Sequence, residues 1–348
     1  MSPTIGDVAR HAGLSKSTVS LALNDMPGVA PETKEAVLQA AEELGYRLPE
    51  RRPLKKSSSR RRNFVVVHHV GHEPRDEIYS LFLDYLQGIQ SFAQEADINL
   101  TAIGGYHKGD LHLLDRRLLS EQNAPVDGLI LMGKGIRRDS ELLHRAIELQ
   151  IPLVALARNW PDLPVSTVSQ DHCQQAMTAL DYLAQLGHRR IAYVAKEGDD
   201  EYEWYAPRLR CYCEKMKELG QEVDEDLIVM GQDGADSVRQ LLSRKPDVTA
   251  VFAIHDGRAI EAMRGAMDMG LAVPGDISII GLDNSEEPPA GFPRLTTVGF
   301  SHFDMGYLGA ELLLRQIEND SISFGNLWIR TALIERDSCS KLTDQTQN

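Results

Sequence analysis

Cysteine is scarce: Cys173, Cys211, Cys213 and Cys339 are all the chain has among 348 residues. Four unevenly spaced thiols make no disulfide framework, and Cys211-Tyr-Cys213 has the spacing of neither a zinc knuckle nor a redox CxxC pair. Reduced cysteines are therefore the expectation. No run of eighteen uncharged apolar residues occurs, so no membrane span is expected. MSPTIGDVARH offers no apolar signal-peptide core, so the protein is expected to stay in the cytoplasm. Catalytic signatures are missing too: GxSxG, a Walker loop, GxGxxG after a strand and HExxH are all absent. Gly133-Lys134-Gly135 lacks the continuation of a phosphate loop, and His68-His69 has no further ligand placed by sequence to complete a metal site. An α/β enzyme is thus disfavoured, and no catalytic residue, metal or cofactor is expected.

What is present begins with TIGDVARHAGLSKSTVSLALN, residues 4–24. Thr4 is placed to N-cap a helix with Asp7 at its N3 position. Val8, Ala9 and Ala12 give that helix a small apolar face, and Gly13 suits the left-handed residue that ends it. Ser15 then caps a second helix, with Val19, Ala22 and Leu23 inward and Lys16, Ser17, Ser20 and Asn24 outward. A glycine-containing turn between two such helices is a helix-turn-helix, whose second helix enters the DNA major groove. A third helix is expected from about Pro31 to Leu44, burying Val37, Leu38, Ala41 and Leu44.

Net charge of −14 argues against a nucleic-acid partner until its distribution is read. Residues 1–62 hold eleven Lys/Arg and seven Asp/Glu, a balance of +4, so the remaining 286 residues carry −18. Eight of the basic residues follow Tyr46, against one acid, Glu50. An acidic body with a basic front segment suits a protein that docks DNA by one end. The basic run 46–62, YRLPERRPLKKSSSRRR, reads as an exposed linker.

From Asn63 onward apolar runs alternate with amphipathic segments. Strands are expected at Phe64–Val67, Leu100–Gly104, Leu129–Met132, Leu153–Ala157, Ile191–Val194, Leu227–Met230, Ala250–Ile254 and Ser278–Leu282. Helices are expected at Tyr79–Ala96, Glu141–Glu148, Gln174–Gln185, Arg208–Leu219, Asp236–Leu242 and Arg258–Met269. This alternation implies two parallel sheets covered by helices on both faces, with ligands at the carboxyl ends of the strands. Arg158 follows one such strand and Asp233 another, while Trp160, Trp204 and Tyr205 are aromatics near strand ends that suit stacking on a sugar.

The head, APETKEAVLQAAEELGYR after it, and the later segments VDGLIL (126–131), GHRRIAYV (187–194), VPGDISIIGLDN (273–284), LTTV (295–298), MGYLGAELLL (305–314) and LIERDS (333–338) together resemble the LacI/GalR family of bacterial transcriptional regulators. The resemblance spans nearly all of residues 4–340. It implies an all-α helix-turn-helix head (1–45), a hinge (46–62), and an α/β periplasmic-binding-protein-like body (63–340) ahead of a short tail (341–348). Within the body, subdomain 1 would take about 63–160 plus 297–324 and subdomain 2 about 166–294 plus 327–340. It implies a homodimer on a pseudo-palindromic double-stranded operator, acting as a repressor under a small-molecule effector, most naturally a carbohydrate, with a purine or other metabolite as the alternative.

By the same resemblance Lys16, Ser17 and Leu21 would read bases, and Thr4, Ser15, Ser20, Asn24 and Thr33 would hold phosphates. A hinge helix would insert a leucine, here Leu54, into the minor groove. Pro53 opposes such a helix, because a mid-helix proline costs about 3 kcal/mol. Arg51 and Arg52 entering the groove as a basic arm are the substitute. In the body, Arg208 and Asp256 match family positions that bond the effector, with His255 standing where asparagine is usual and Ala157 where an acid is usual.

Overall fold

The computed structural model describes residues 3, 5–14, 19, 22, 31–44, 61–69, 78–105, 126–133, 135–319 and 325–342. It falls into two compact units, 1–57 and 58–348.

In the first unit, α1 (Ile5–Ala12) and α2 (Pro31–Glu43) are described along their length. α1 ends at Gly13, whose φ is +68°, and Leu14 N–H closes back on Ala9 O at 3.0 Å, the 6→1 bond of a Schellman stop. Between the two helices Val19 and Ala22 are helical and buried. They join Val8, Ala9, Val37, Ala40 and Ala41 in one small core, edged by Ala12, Leu14 and Leu44. Leu38 was expected inside and is 49% exposed. The inward positions of α2 are 37, 40, 41 and 44, the i, i+3, i+4, i+7 set, which turns residue 38 to the outer flank. Nine helical-head and linker residues named above as DNA contacts, with Thr4, lie outside the described residues: Ser15, Lys16, Ser17, Ser20, Leu21, Asn24, Arg51, Arg52 and Leu54. So does Pro53.

The second unit is built on two six-stranded sheets. The first contains β1 (Asn63–His69), β2 (Asn99–Gly105), β3 (Gly128–Met132), β4 (Leu153–Leu156), β5 (Ser166–Gln170) and β11 (Asn326–Ile329), in the order β11-β5-β4-β3-β1-β2. The second contains β6 (Ile191–Lys196), β7 (Ile228–Gly231), β8 (Ala250–Ala253), β9 (Ser278–Asp283), β10 (Thr296–Gly299) and β12 (Ala332–Ile334), in the order β12-β10-β9-β8-β6-β7. All pairings are parallel except β10 with β12. Apolar runs such as Phe64–Val67 and Leu129–Met132 are buried throughout, as expected of strands covered on both faces. In each sheet the order reverses beside the first strand, which opens a crevice at the carboxyl ends.

The sequence boundaries of the lobes need correction. Ser166–Gln170 pairs with β4, so it belongs to the first lobe, and Thr296–Gly299 pairs with β9, so it belongs to the second. Asn326–Ile329 pairs with β5 in the first sheet. The chain crosses between lobes at 170–172, 299–302 and 329–332. β5, β11 and β12 are short, and β11 and β12 lie at sheet edges, so none carries the long apolar run that marks the central strands.

Helices α3 (Ile78–Glu95), α4 (Glu141–Glu148), α5 (His172–Gln185), α6 (Tyr205–Glu218), α7 (Gly234–Arg244), α8 (Asp256–Asp268) and α9 (His302–Glu318) cover the sheets. Four of them begin on a polar cap: Asp171 accepts from Cys173 and Gln174 N–H, Asp233 from Asp236 N–H, His255 from Arg258 N–H, and Ser301 from Asp304 N–H. The expectation of four reduced thiols is overturned: Cys173 and Cys211 form a disulfide between α5 and α6, with Cα atoms 5.9 Å apart, while Cys213 and Cys339 are free. The two are 38 residues apart in sequence, a proximity no spacing rule exposes.

Candidate functional site

The strand ends of the two lobes line a cleft with a cavity of about 120 Å³. The first lobe supplies His68 at the end of β1, Phe82 and Tyr85 from α3, Met132 and Gly133 after β3, Arg158 after β4, and Gln170 ending β5. The second supplies Trp204 and Arg208 around the start of α6, His255 after β8, and Asp283, Ser285 and Glu286 after β9. His172, Phe300 and His302 lie on the crossings themselves, so the wall depends on how the lobes meet.

Arg208 is the electrostatic centre. Its side chain is 2% exposed. It donates to Ile254 O at 2.6 Å, to Gln175 Oε1 at 2.8 Å and to Asp283 Oδ1 at 2.8 Å, and its guanidinium lies 5.4 Å from the Trp204 ring centroid. Gln175 also donates to Asp283 Oδ1 at 2.9 Å. Burial would raise the Asp283 carboxyl, but Arg208 and Gln175 outweigh it and hold Asp283 below the ordinary carboxylate range. Asp283 has φ +94° and Asn284 φ +53°, a pair of left-handed residues that only short polar side chains adopt readily. Strain is held where the cleft needs a carboxylate aimed inward.

Arg158 is differently used. It donates to Gly133 O at 2.5 Å, Ala157 O at 2.8 Å and Ile136 O at 3.3 Å, which ties the loops after β3 and β4 together. Ala157 has φ +53°, and this latch fixes its strained backbone.

Gln170 Oε1, His172 Nδ1 and His302 Nε2, on cleft-lining side chains 4%, 8% and 5% exposed, are buried with no hydrogen-bond partner within the protein. Buried polar atoms are nearly always satisfied, and an unsatisfied one costs roughly 1–3 kcal/mol, so unmet hydrogen-bonding capacity lies along this wall. Burial, reinforced by Arg208, pushes the His172 imidazole down to about 3. Burial lowers His302 likewise. Both rings are neutral at physiological pH. Phe82, Tyr85, Phe300 and Trp204 form the apolar walls.

Arg158, Trp204 and Arg208 are thus brought together as the sequence suggested. Trp160, Asp233 and Asp256 do not line the cleft. Trp160 is fully buried in the core between β3, β4 and α4, with its indole N–H bonded to Glu203. Asp233 caps α7. Tyr205 opens α6 and packs on Tyr193 in the second lobe's core. Asp256 is 0% exposed and accepts from Thr297 Oγ1 at 2.6 Å and from Ser285 N–H at 2.7 Å. It therefore positions the Ser285 loop. Proximity to a strand end selected all these residues in sequence, but helix caps and loop cores occupy strand ends too. Thr33 is part-buried in the first turn of α2. Among the described residues, no group of three His, Cys, Asp or Glu is placed to hold a metal, and no helix is long and apolar enough to cross a membrane.

Asp256 gives a pH test. Burial raises its carboxyl from 3.8 to about 7, only partly opposed by the Thr297 hydrogen bond. The folded state therefore holds an extra proton between about pH 4 and 7, and that contribution to stability is lost as pH rises through 7. His172 has the opposite sign: its stability contribution is complete above 6.5 and lost as pH falls towards 3. Asp256→Asn removes only the first effect. Urea titrations should show the variant gaining on the wild type by roughly 2 kcal/mol or more between pH 5 and pH 8; a constant difference would contradict a carboxyl that ionises near neutrality.

A small helical head followed by a hinged, two-lobed α/β body with a polar cleft between its sheets defines a ligand-sensing protein of the periplasmic-binding-protein type joined to a DNA reader. Residues 4–48 match the profile of bacterial regulatory proteins, lacI family, and residues 180–339 that of the periplasmic binding protein-like domain. Catabolite control protein A of Priestia megaterium is 30% identical over 329 residues, covering 92% of this chain and 95% of that protein. The HTH-type transcriptional repressor CytR of Escherichia coli K12 is 30% identical over 349 residues, covering 97% of each. Among solved structures, a transcriptional regulator CelR-cellobiose complex superposes with a TM-score of 0.68 at 30% identity, covering 97% of this chain and 99% of that one. The chain belongs to the LacI family of bacterial transcriptional regulators.

Proposed function

We propose that this regulator is a repressor that binds a pseudo-palindromic operator as a homodimer in the cytoplasm and releases or tightens on it when an uncharged carbohydrate enters the cleft. Residues 1–45 form the DNA reader, 46–62 the basic hinge, and 63–340 the effector and dimerisation body, with a short tail at 341–348. The role of reading bases falls to Lys16, Ser17 and Leu21, that of holding phosphates to Thr4, Ser15, Ser20, Asn24 and Thr33, and that of entering the minor groove to Arg51, Arg52 and Leu54. Two heads must match half-sites one helical turn apart or a multiple of it, so a change in lobe angle becomes a change in operator affinity. The chain performs no catalysis.

The observation that carries the ligand class is the trio Gln170 Oε1, His172 Nδ1 and His302 Nε2, buried and unpartnered on three side chains that line the cleft. Sugar hydroxyls donate to such atoms while a pyranose face lies against Trp204 or Phe300. Neutral imidazoles, with the guanidiniums of Arg158 and Arg208 set against the carboxylates of Asp283 and Glu286 in the same lining, leave no net positive charge to balance an anion. The structure of the CelR complex with cellobiose supports a sugar as the type of ligand.

Two measurements test the reading. Random duplexes selected on the full-length dimer should yield a two-fold-related site whose affinity falls steeply with salt. A thermal-shift panel pairing glucose, ribose and cellobiose with gluconate, glucose 6-phosphate and adenine should show stabilisation by an uncharged sugar alone. At a hundred times its Kd the ligand adds about 2.7 kcal/mol. Stabilisation by a phosphorylated sugar or by adenine would overturn the ligand class. Absence of any salt-sensitive duplex preference would overturn the regulator.

A further inference from the structure

The disulfide sits at a place where its state bears on the cleft. β5 ends at Gln170 in the first sheet and α5 starts at His172 on the second lobe, so the backbone crosses between lobes immediately before Cys173. Asp171 caps the helix by accepting from Cys173 N–H at 2.9 Å. On α6, Cys211 stands one turn after Arg208, on the same helical face. The bond therefore ties the first turn of α5 to α6 beside the contact between Gln175 Oε1 and Arg208 Nη2, 2.8 Å long. His172 precedes Cys173 and lines the cleft, and Trp204 lies against Arg208. One covalent link thus fixes a hinge crossing and two cleft side chains.

The two sulfurs differ in access. Cys173 is part-exposed, whereas Cys211 is 0% exposed among Tyr193, Tyr212 and Met216. A regulator that meets its operator works where the DNA is, a compartment whose thiol pools keep most cysteines reduced, and disulfides found there are mainly catalytic or redox-sensing.

We propose that Cys173–Cys211 is a thiol–disulfide exchange site through which small cellular thiols and dithiols loosen the hinge side of the effector cleft. An incoming thiolate attacks Cys173 Sγ, the Cys173–Cys211 bond breaks, and its electron pair leaves on Cys211 Sγ, which takes up a proton. A second thiolate then attacks the mixed disulfide at the incoming sulfur. It releases Cys173, which is protonated in turn, and the reductant departs as its own disulfide. The protein gains two electrons and two protons. Once the link is open, only non-covalent contacts hold the first turn of α5 to Arg208, so the cleft wall formed by His172 becomes mobile. The oxidised form is the pre-organised one.

The effector reading of the cleft underlies this assignment, but its test uses neither DNA nor a sugar, so the two fail separately. Full-length protein is equilibrated in oxidised or reduced glutathione, or in dithiothreitol, then alkylated after denaturation and weighed. Two modified cysteines are expected in the oxidised form and four in the reduced. Circular dichroism should be native in both. On reduction, amide hydrogen exchange at 172–176 and 205–211 should quicken at least tenfold while β3 and β8 are unchanged. Tryptophan emission should shift, and that shift should vanish in Trp204→Phe. Cys173→Ser/Cys211→Ala should exchange like reduced protein in every buffer, and Cys213→Ser should respond like wild type. Four thiols after oxidation overturn the proposal. So do unchanged exchange and emission across the redox states, which mark an inert staple, and global unfolding on reduction, which marks a structural one.

Discussion

Arg208→Met is expected to destabilise the body by about 3–5 kcal/mol and to remove all ligand-induced stabilisation. Arg208 serves three partners at once: Ile254 O, Gln175 and Asp283. Methionine fills most of the volume and supplies none of the donors. The carboxylate of Asp283 is then left without its counter-charge beside a second carboxyl, Asp256, which it already disfavours as an anion. Breaking one half of a buried pair is costly because the other half stays charged. Arg208→Met/Asp283→Asn separates packing from recognition. Asparagine keeps the left-handed backbone at residue 283 accessible and still accepts from Gln175, while the uncompensated charge is gone. The double variant should recover at least half of the lost stability in urea titration yet remain blind to every sugar in the thermal-shift panel. If it regains a ligand shift equal to the wild type's, Arg208 is only a structural ion pair.

The same residue shows how far the sequence could be read. Its position at the start of a helix after the second lobe's first strand was legible, because alternating strands and helices fix where strand ends fall. Helix α4 was legible to the residue, and the other expected elements lie within three residues of the observed ones. Their apolar runs are long and their periods unambiguous. The edge strands β11 and β12 were not, since an edge needs no continuous apolar run. The cleft's deeper chemistry was hidden for another reason. Gln170, His172 and His302 sit at crossings between lobes, and nothing in a linear pattern says that β5 belongs with the first lobe and α5 with the second. Trp160 shows the converse error. A tryptophan three residues past an expected strand looks like a stacking surface, but the loop folds under and buries it against Glu203. The disulfide partner of Cys211 was illegible because helix-to-helix packing, not spacing, brings Cys173 to it.

A second large effect is expected from two glycines on facing helices. α3 and α9 meet so closely that a Cβ on Gly88 would lie 2.0 Å from Phe303 O and 2.8 Å from Tyr307 N, and one on Gly306 would lie 2.0 Å from Tyr85 O. Those neighbours are backbone atoms and cannot rotate away. Relief requires parting the helices, and the packing lost with it includes Phe92 against Tyr307, whose rings meet edge to face at 5.2 Å, and the Tyr307 hydroxyl on Glu95 at 2.7 Å. Gly88→Ala and Gly306→Ala should each cost about 3 kcal/mol, the upper end for inserting a methyl group into a filled core. The consequence reaches the cleft. Tyr85 sits on α3 and His302 begins α9, their rings 5.4 Å apart edge to face, and both line the cavity. Parting the helices therefore pulls two walls from each other. The double variant separates this from a general loss of stability. The two glycines relieve one and the same contact, so once the helices have moved apart for the first methyl group, the second costs little. Gly88→Ala/Gly306→Ala should lose clearly less than the sum of the single variants in urea titration. Strictly additive losses would mean that each methyl group is accommodated locally and that the helices have not moved. A sugar that stabilises the wild type should bind the single variants at least tenfold more weakly, measured at a temperature where both remain folded.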